Sequence, residues 1–474
     1  MVFNSFQFLW LFPIIFAVYY FICWVAGKSL SLKRASKIGN YLLIFISYAL
    51  YMQWNAKYAL ILLAVTAITY FGARVIENSD KSKKRVLIIT LSSLTVLPLL
   101  IFKYASFICD NINSISGGGN LLEINLIAPI GISFYTFQAL GYLLDVYHKR
   151  IDAEKNWWSY MLFVCFFPQI LSGPISKASD LLPQIKSERK FDYGFAIQGL
   201  RWLLWGIFLK VVFADRCALY VNPVLDNYNV YSGPSIYLAC ICYTLQIYGD
   251  FAGYSLMAIG VARLMGFDLI NNFRRPYLAT SITDFWKRWH ISLTKWLTTH
   301  VYIAMGGNRC SKVRQYFNIM TTFLVSGIWH GANWTFIVWG VIHGFFQVIE
   351  KALGLQKTPY KFMPKIFRIC VTFTIVSFAW LIFRMPSISD AWNCCCCIFT
   401  NTGNVYLPEI KELLFLCVAV SIPVCKDIVS EFVPSTINRI FSNVFFRRFS
   451  YVALALIVAI LGIFNADSFI YLQF

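Results

Sequence analysis

The side chains of this 474-residue chain that could do chemistry are few, and His330, in Trp329-His330-Gly331, is the most informative. It closes an apolar run from Phe317 to Ile328 and stands just before a second run that begins at Trp334. An ionisable imidazole at membrane depth is expensive, so it faces protein or a watery cavity and marks a working site. With an ordinary pKa of about 6.5 an imidazole is mostly the free base at working pH, suited to taking a proton from a weak nucleophile. The competing reading of His330 is a satisfied hydrogen-bonder between helices. The other histidines are His148, His290, His300 and His343, and no two have the HxxxH spacing that places a pair of imidazoles on one helical face. His330 and His343 are thirteen positions apart, roughly 20 Å along a continuous helix, and Gly331 makes that continuity doubtful. A mononuclear metal site is therefore not expected. Nucleophile elbows, Walker A loops and dinucleotide-binding glycine patterns do not occur.

Positioning elements follow from composition. The chain is 58% hydrophobic and 13% charged, with mean hydropathy +0.62, a balance that excludes an ordinary soluble domain. Apolar stretches long enough to cross a bilayer, or nearly so, fall near 6–26, 38–54, 57–76, 86–109, 127–147, 195–214, 234–250, 317–329, 333–350, 366–385, 411–430 and 449–466. The first lacks a basic leader and a small-residue cleavage site and is followed by more spans, so it is expected to be retained. Two stretches depart from simple spans. Residues 157–175 are apolar but broken by Pro168, Gly173 and Pro174, which fits a re-entrant pair of half-helices. Residues 251–316, rich in Trp, Arg and Lys, are expected to lie along the cytoplasmic face and dip inward. No repeat or soluble segment interrupts residues 1–474, which read as one membrane domain.

Charge sets the orientation. Lys28, Lys33, Arg34 and Lys37 follow the first run, Lys81 to Arg85 the third, and His148 to Lys155 the fifth, whereas the alternate loops are nearly free of positive charge. By the positive-inside rule the basic loops are cytoplasmic and the N-terminus is outside. The net charge of +19 is mainly this signal, although a basic face also attracts anionic lipid headgroups or a polyanionic cosubstrate. Dispersed over loops, it has no form suited to nucleic acid. The 14 cysteines sit mostly singly in apolar runs, and the Cys394 to Cys397 run offers one CxxC spacing without a second pair, so packing rather than zinc or a disulfide framework is expected.

Longer motifs give these residues a context. Ala128 to Tyr147, FFPQILSGPI from Phe166, YGDFAGYS from Tyr248, NNFRRPYLATSITDFWKRWHISLTKW from Asn271, MGGNR from Met305, SGIWHGANWTFIVWGVIHG from Ser326 and the aromatic terminus from Phe469 occur in consistent order. Together they resemble the membrane-bound O-acyltransferase family, in its bacterial branch that includes the alginate O-acetylase membrane subunit and the D-alanyl transferase of teichoic acid. The resemblance covers nearly the full length, with its motif core at about 128–350 and a weaker match from Leu353 to Ile463. It implies an all-α polytopic fold with a ring of about 11–12 transmembrane helices and re-entrant segments. It implies acyl transfer from a cytosolic thioester, across a bacterial inner membrane, to a hydroxyl outside. His330 carries over as the catalytic histidine and His290 as a second one.

Within that reading, Asn333 or nearby backbone N–H groups are candidate donors to the oxyanion, while Asn333 could equally be an interhelical tie. Asp284, Lys287 and Arg288 either shape the thioester channel or pair with one another. Interfacial anchoring competes for His290, Asp250 is expected to pair with an arginine, and His148 and His343 read as loop or packing residues. The expected function is transfer of an acetyl group from acetyl-CoA, used as substrate with no bound cofactor. The acceptor is an exported or cell-surface polysaccharide, reached directly or through a periplasmic acetyltransferase. D-alanyl transfer from a carrier protein is the alternative within the enzyme class, and a glycan or lipid transporter is the alternative outside it.

Overall fold

In a computed structural model, which describes residues 3, 5–116, 126–170, 173–356 and 362–464, helices form wherever the apolar runs predict them, and no strand occurs among the described residues. Ser172 and the aromatic terminus from Phe469 lie outside the described residues. Two compact units divide the chain: residues 1–203 with 258–270, and residues 204–257 with 271–474. The first holds α1 (Phe6–Ser29), α2 (Leu32–Met52), α3 (Ala56–Asn78), α4 (Lys81–Ile115), α5 (Ile132–Tyr147), α6 (Trp157–Cys165), α7 (Phe167–Ile170) and α8 (Ala178–Lys186). Next come α9 (Tyr193–Ile207), a π-helical stretch (Phe208–Ala214), α10 (Asp215–Asp226) and α11 (Gly233–Leu264). The second unit continues with α12 (Ile282–Arg288), α13 (Ile291–Leu297), α14 (Lys312–His330), α15 (Trp334–Ala352) and α16 (Phe362–Arg384). It ends with α17 (Ile388–Thr400), α18 (Ile410–Phe432), α19 (Pro434–Ser442) and α20 (Val444–Leu461). Six of these, α1, α3, α4, α16, α18 and α20, are long and apolar enough to cross a membrane. Others sit where spans are expected but are shorter or more polar: α5 has 16 residues, and α2 opens with Lys33, Arg34 and Lys37.

Water is absent from the bilayer core, so irregular backbone there needs protein partners. The first unit supplies them from side chains. At the expected re-entrant segment, α6 and α7 are short and largely buried, and the Phe163 carbonyl at their break accepts from both Gln138 and Gln169. The loop before α6 is tied down by Glu77, which accepts from Ala153 N at 2.8 Å, and by Tyr142, whose hydroxyl accepts from Glu154 N at 2.8 Å.

In the second unit a charge is buried outright. Lys210 Nζ lies 2.7 Å from Asp215 Oδ1 and 2.6 Å from Asp250 Oδ1, and all three side chains are at most 5% exposed. Asp250 thus pairs with a lysine of the π-helical stretch rather than with an arginine. Nor does α11 stop at residue 250 as the sequence reading expects; it runs on to Leu264. Its glycines serve close approach instead of ending the helix. A methyl at Gly253 would fall 2.8 Å from the Gly206 carbonyl oxygen, and one at Gly249 would fall 2.5 Å from Phe213. Of residues 251–316 only 265–311 are irregular, with two short helical turns (Pro276–Leu278 and Thr298–Tyr302) and the two short helices α12 and α13.

Removing the ammonium while leaving two buried carboxylates is costly. Lys210→Met should destabilise the protein by about 3–5 kcal/mol, and adding Asp215→Asn and Asp250→Asn should recover most of that loss. Thermal unfolding of the detergent-solubilised protein measures both.

Candidate active site

His330 is the last residue of α14, and the chain reverses immediately after it. Gly331 and Ala332 lead to Asn333, whose Oδ1 accepts from Thr335 N at 3.0 Å and so caps α15. The same side chain donates through Nδ2 to the Pro386 carbonyl at 2.8 Å. Both ends of the Asn333 amide are therefore engaged in shaping the turn that follows His330. Small residues let the two helices touch. A methyl at Gly327 would fall 2.4 Å from the Phe336 carbonyl oxygen, and one at Gly340 would fall 2.5 Å from that of Phe323. At Gly331 the space is filled by the Phe336 ring, 2.2 Å from where a methyl would sit. The backbone of Gly331 is extended, so its requirement is for room and not for unusual torsion angles.

Aromatic edges enclose the imidazole. Trp329, Trp339 and Phe383 meet the His330 ring edge-to-face with centroids at 4.9, 4.9 and 5.4 Å, and His330 is 3% exposed. Trp339 stacks on Trp380 of α16 at 5.5 Å. It also meets His343, one turn further along α15, at 4.9 Å. The reversal at Gly331 thus brings the two histidines, far apart on a continuous helix, against one indole. Trp286 of α12 donates through Nε1 to His343 Nδ1 at 3.3 Å. His343, which the sequence assigns to packing, therefore belongs to the polar part of this cluster.

His290 also approaches Trp329. It is fully buried, with its ring 5.9 Å from Trp329 and 4.7 Å from Phe251. Its backbone is left-handed (φ 42°, ψ 55°), a conformation that costs a non-glycine residue on the order of 1–3 kcal/mol. Asn272 holds this turn: its carbonyl accepts from Ile291 N and its Oδ1 from Ser292 N, both at 3.0 Å. Burial pushes the His290 imidazole down to about 3, which keeps it neutral at physiological pH.

The charged residues separate by role. Asp284 accepts from Arg288 Nε at 2.9 Å and from Thr280 N at 3.1 Å, while Arg288 and Arg275 both bind Glu431 of α18. Asp284 and Arg288 thus form an ionic clasp between α12 and α18. Lys287 instead lines a cavity of about 420 Å³ with Lys351, Gln347, Thr283, Trp286 and Ser326. Ser326 is one helical turn before His330, on the same face of α14. Glu350 anchors the wall nearby, accepting from Ile282 N and Thr283 N at the start of α12. Among the described residues no three metal-ligating side chains converge, and all 14 cysteines are free thiols.

A buried imidazole walled by rings, one helical turn from a lysine-lined cavity in a helical membrane protein, is an arrangement that suits acyl transfer within a bilayer. The chain belongs to the membrane-bound O-acyltransferase family, which matches residues 46–389. It is 36% identical over 399 residues to a probable alginate O-acetylase of Pseudomonas aeruginosa, covering 83% of this chain and 74% of that protein. It is 34% identical to a peptidoglycan O-acetyltransferase of Helicobacter pylori, covering 74% of this chain and 71% of that one. A teichoic acid D-alanyltransferase of Streptococcus thermophilus shares 27% identity over 64% of this chain and 76% of its own length. The protein is thus a multi-pass membrane O-acyltransferase.

Trp339, Trp380 and Phe383 complete the chamber and are not singled out by the sequence reading. The available signal is position: tryptophans favour membrane interfaces, so indoles in the middle of helical runs are out of place there unless they line something. Two substitutions test the positioning. Asn272→Ala should lower kcat at least about tenfold with unchanged protein level, by releasing the His290 turn. Gly331→Ala should do the same by displacing Phe336, and Phe336→Leu in that background should restore part of the loss.

Proposed function

We propose that this protein moves an acetyl group from acetyl-CoA, bound at the cytoplasmic side of the inner membrane, to hydroxyls of an exported or cell-surface polysaccharide. The acceptor is reached directly or through a periplasmic acetyltransferase. One observation carries the reading: His330 is held by ring edges while Ser326, on the same face of α14, borders a cavity lined by Lys287 and Lys351. Ammonium groups at that cavity suit a phosphate-bearing thioester, and the aromatic walls suit an acyl group withdrawn from water. The alginate and peptidoglycan acetylating relatives support acetyl as the group and a glycan as the acceptor.

In the proposed step an imidazole nitrogen of His330 takes the acceptor's hydroxyl proton as the oxygen attacks the thioester carbonyl carbon. The new C–O bond gives a tetrahedral oxyanion, the C–S bond breaks, and the imidazolium returns its proton to the departing thiolate. General-base assistance of this kind contributes typically 10² to 10⁴ in rate. His290 packs against Trp329, and Asn333 fixes the turn that aims His330. Lys287 contacts the donor, while Asp284 and Arg288 tie α12, which forms one wall of the cavity, to α18.

Surface polysaccharide from cells making His330→Ala should lose its O-acetyl ester at normal membrane protein level, a drop of about 10² or more. Unchanged ester would overturn the catalytic assignment and favour a transport role. Lys287→Gln with Lys351→Gln should raise KM for acetyl-CoA severalfold with little change in kcat. Turnover of a D-alanyl carrier protein but not of acetyl-CoA by the purified wild type would replace acetyl with D-alanyl.

A further inference from the structure

A second concave site lies wholly in the first unit, and nothing in the acyl-transfer reading uses it. It is a cavity of about 270 Å³ between α2, α6 and α8, lined by Lys33, Lys37, Asn40, Tyr41, Trp158 and Lys186, among others. Its back wall is built and polar. Asn40, buried, donates to the Ile185 carbonyl at 2.8 Å and accepts from Arg189, and Ser36, also buried, accepts from Arg189 N at 2.9 Å.

The charges there are unbalanced. Lys186 pairs with buried Glu154 at 2.5 Å. Arg189, behind the wall, is bound by neutral oxygens of Tyr19, Ser36, Asn40, Gln184 and Ile185. Among the described residues no carboxylate forms an ion pair with Arg189, Lys33 or Lys37. Lys33 and Lys37 therefore bring two positive charges to one polar pocket with no carboxylate paired to either, where a charge-assisted contact to a phosphate would be favourable.

The outer face of α2 identifies the source of that phosphate. Lys33, Lys37, Tyr41 and Phe45 follow one another at intervals of four, forming a single stripe along the helix. The stripe runs from ammonium through an aromatic ring to a Phe45 side chain that is 70% exposed. Tyr41 and Trp158, each almost half exposed, meet edge-to-face at 5.5 Å beside the pocket. Basic, then amphipathic aromatic, then apolar is the depth profile of a phospholipid from headgroup to acyl chain, and aromatic pairs mark the headgroup level. The basic loop puts this end of α2 at the cytoplasmic leaflet, where anionic lipids reside.

We propose that this pocket binds the headgroup of an anionic phospholipid, with Lys33 and Lys37 on the phosphate and the acyl chains along Tyr41 and Phe45. The site is independent of the proposed acyl transfer.

Native mass spectrometry of the full-length protein, after extraction into a delipidating detergent and titration with phosphatidylglycerol, tests this. Wild type should retain bound lipid, Lys33→Gln with Lys37→Gln should bind at least about tenfold more weakly, and Lys33→Arg with Lys37→Arg should bind as wild type. As a control, Lys83→Gln with Lys84→Gln, in a basic loop that does not line the pocket, should leave binding unchanged. Equal weakening in that control would mean general surface attraction and overturn the site. Binding of inorganic phosphate that displaces the lipid at equal concentration would show that the pocket takes free phosphate and overturn the lipid assignment. Phosphatidylcholine binding as tightly as phosphatidylglycerol would overturn the role of charge.

Discussion

A bilayer offers no water to an unpaired polar group, and almost every departure of this chain from plain apolar helices answers to that constraint. Where the backbone breaks, a side chain takes over its hydrogen bonds. Gln138 and Gln169 serve the break between α6 and α7, Asn272 serves the His290 turn, Asn333 the reversal after His330, and Glu350 the start of α12. Where a charge is buried, its counter-charge comes with it, as Lys210 does for Asp215 and Asp250. The irregular segments are therefore tied by side chains, and two of them, the turn at His290 and the reversal after His330, lie beside histidines.

The chamber around His330 shows why that matters for chemistry. Ring edges on three sides leave the imidazole few directions in which to move or to meet water. Its supports come from three helices: Trp329 from α14 itself, Trp339 from α15, and Phe383 from α16, with Trp380 of α16 behind Trp339. In the proposed role of general base, an imidazole fixed this way would need little reorganisation when a hydroxyl arrives, which is how a preorganised site gains rate over the same group in solvent. The left-handed turn at His290 is of the same kind, because strain there persists only while Asn272 holds it.

Much of this is legible in the sequence, because apolar length and histidine scarcity are one-dimensional signals. The helices lie where hydropathy places them, and residues of the WHG and RWH motifs share one cluster around Trp329. Pairing is not one-dimensional. Asp250 gives no hint that its partner is Lys210, which is hidden inside an apolar run. Gly249 and Gly253 read as a helix end but are contact points within α11. Asn333 reads either as an oxyanion donor or as an interhelical tie, and helix capping with the Pro386 carbonyl occupies both ends of its amide. In each case the deciding partner is a residue distant in sequence whose own type is unremarkable.

The hairpin of α14 and α15 has a bearing on how the protein is made. Its helices are consecutive, joined by three residues, and fitted together through glycines, with the Asn333 bond to the Pro386 carbonyl as a later tie on the turn. Contacts so local close at low entropic cost and form early. His330 would thus reach the membrane already within its hairpin, before α16 and the residues just after it are synthesised to deliver Trp380, Phe383 and the Pro386 carbonyl. Closing the ring of side chains around His330 then becomes the docking of α16 onto a hairpin already formed, so lesions in α16 should yield chains that insert and persist with that ring left open.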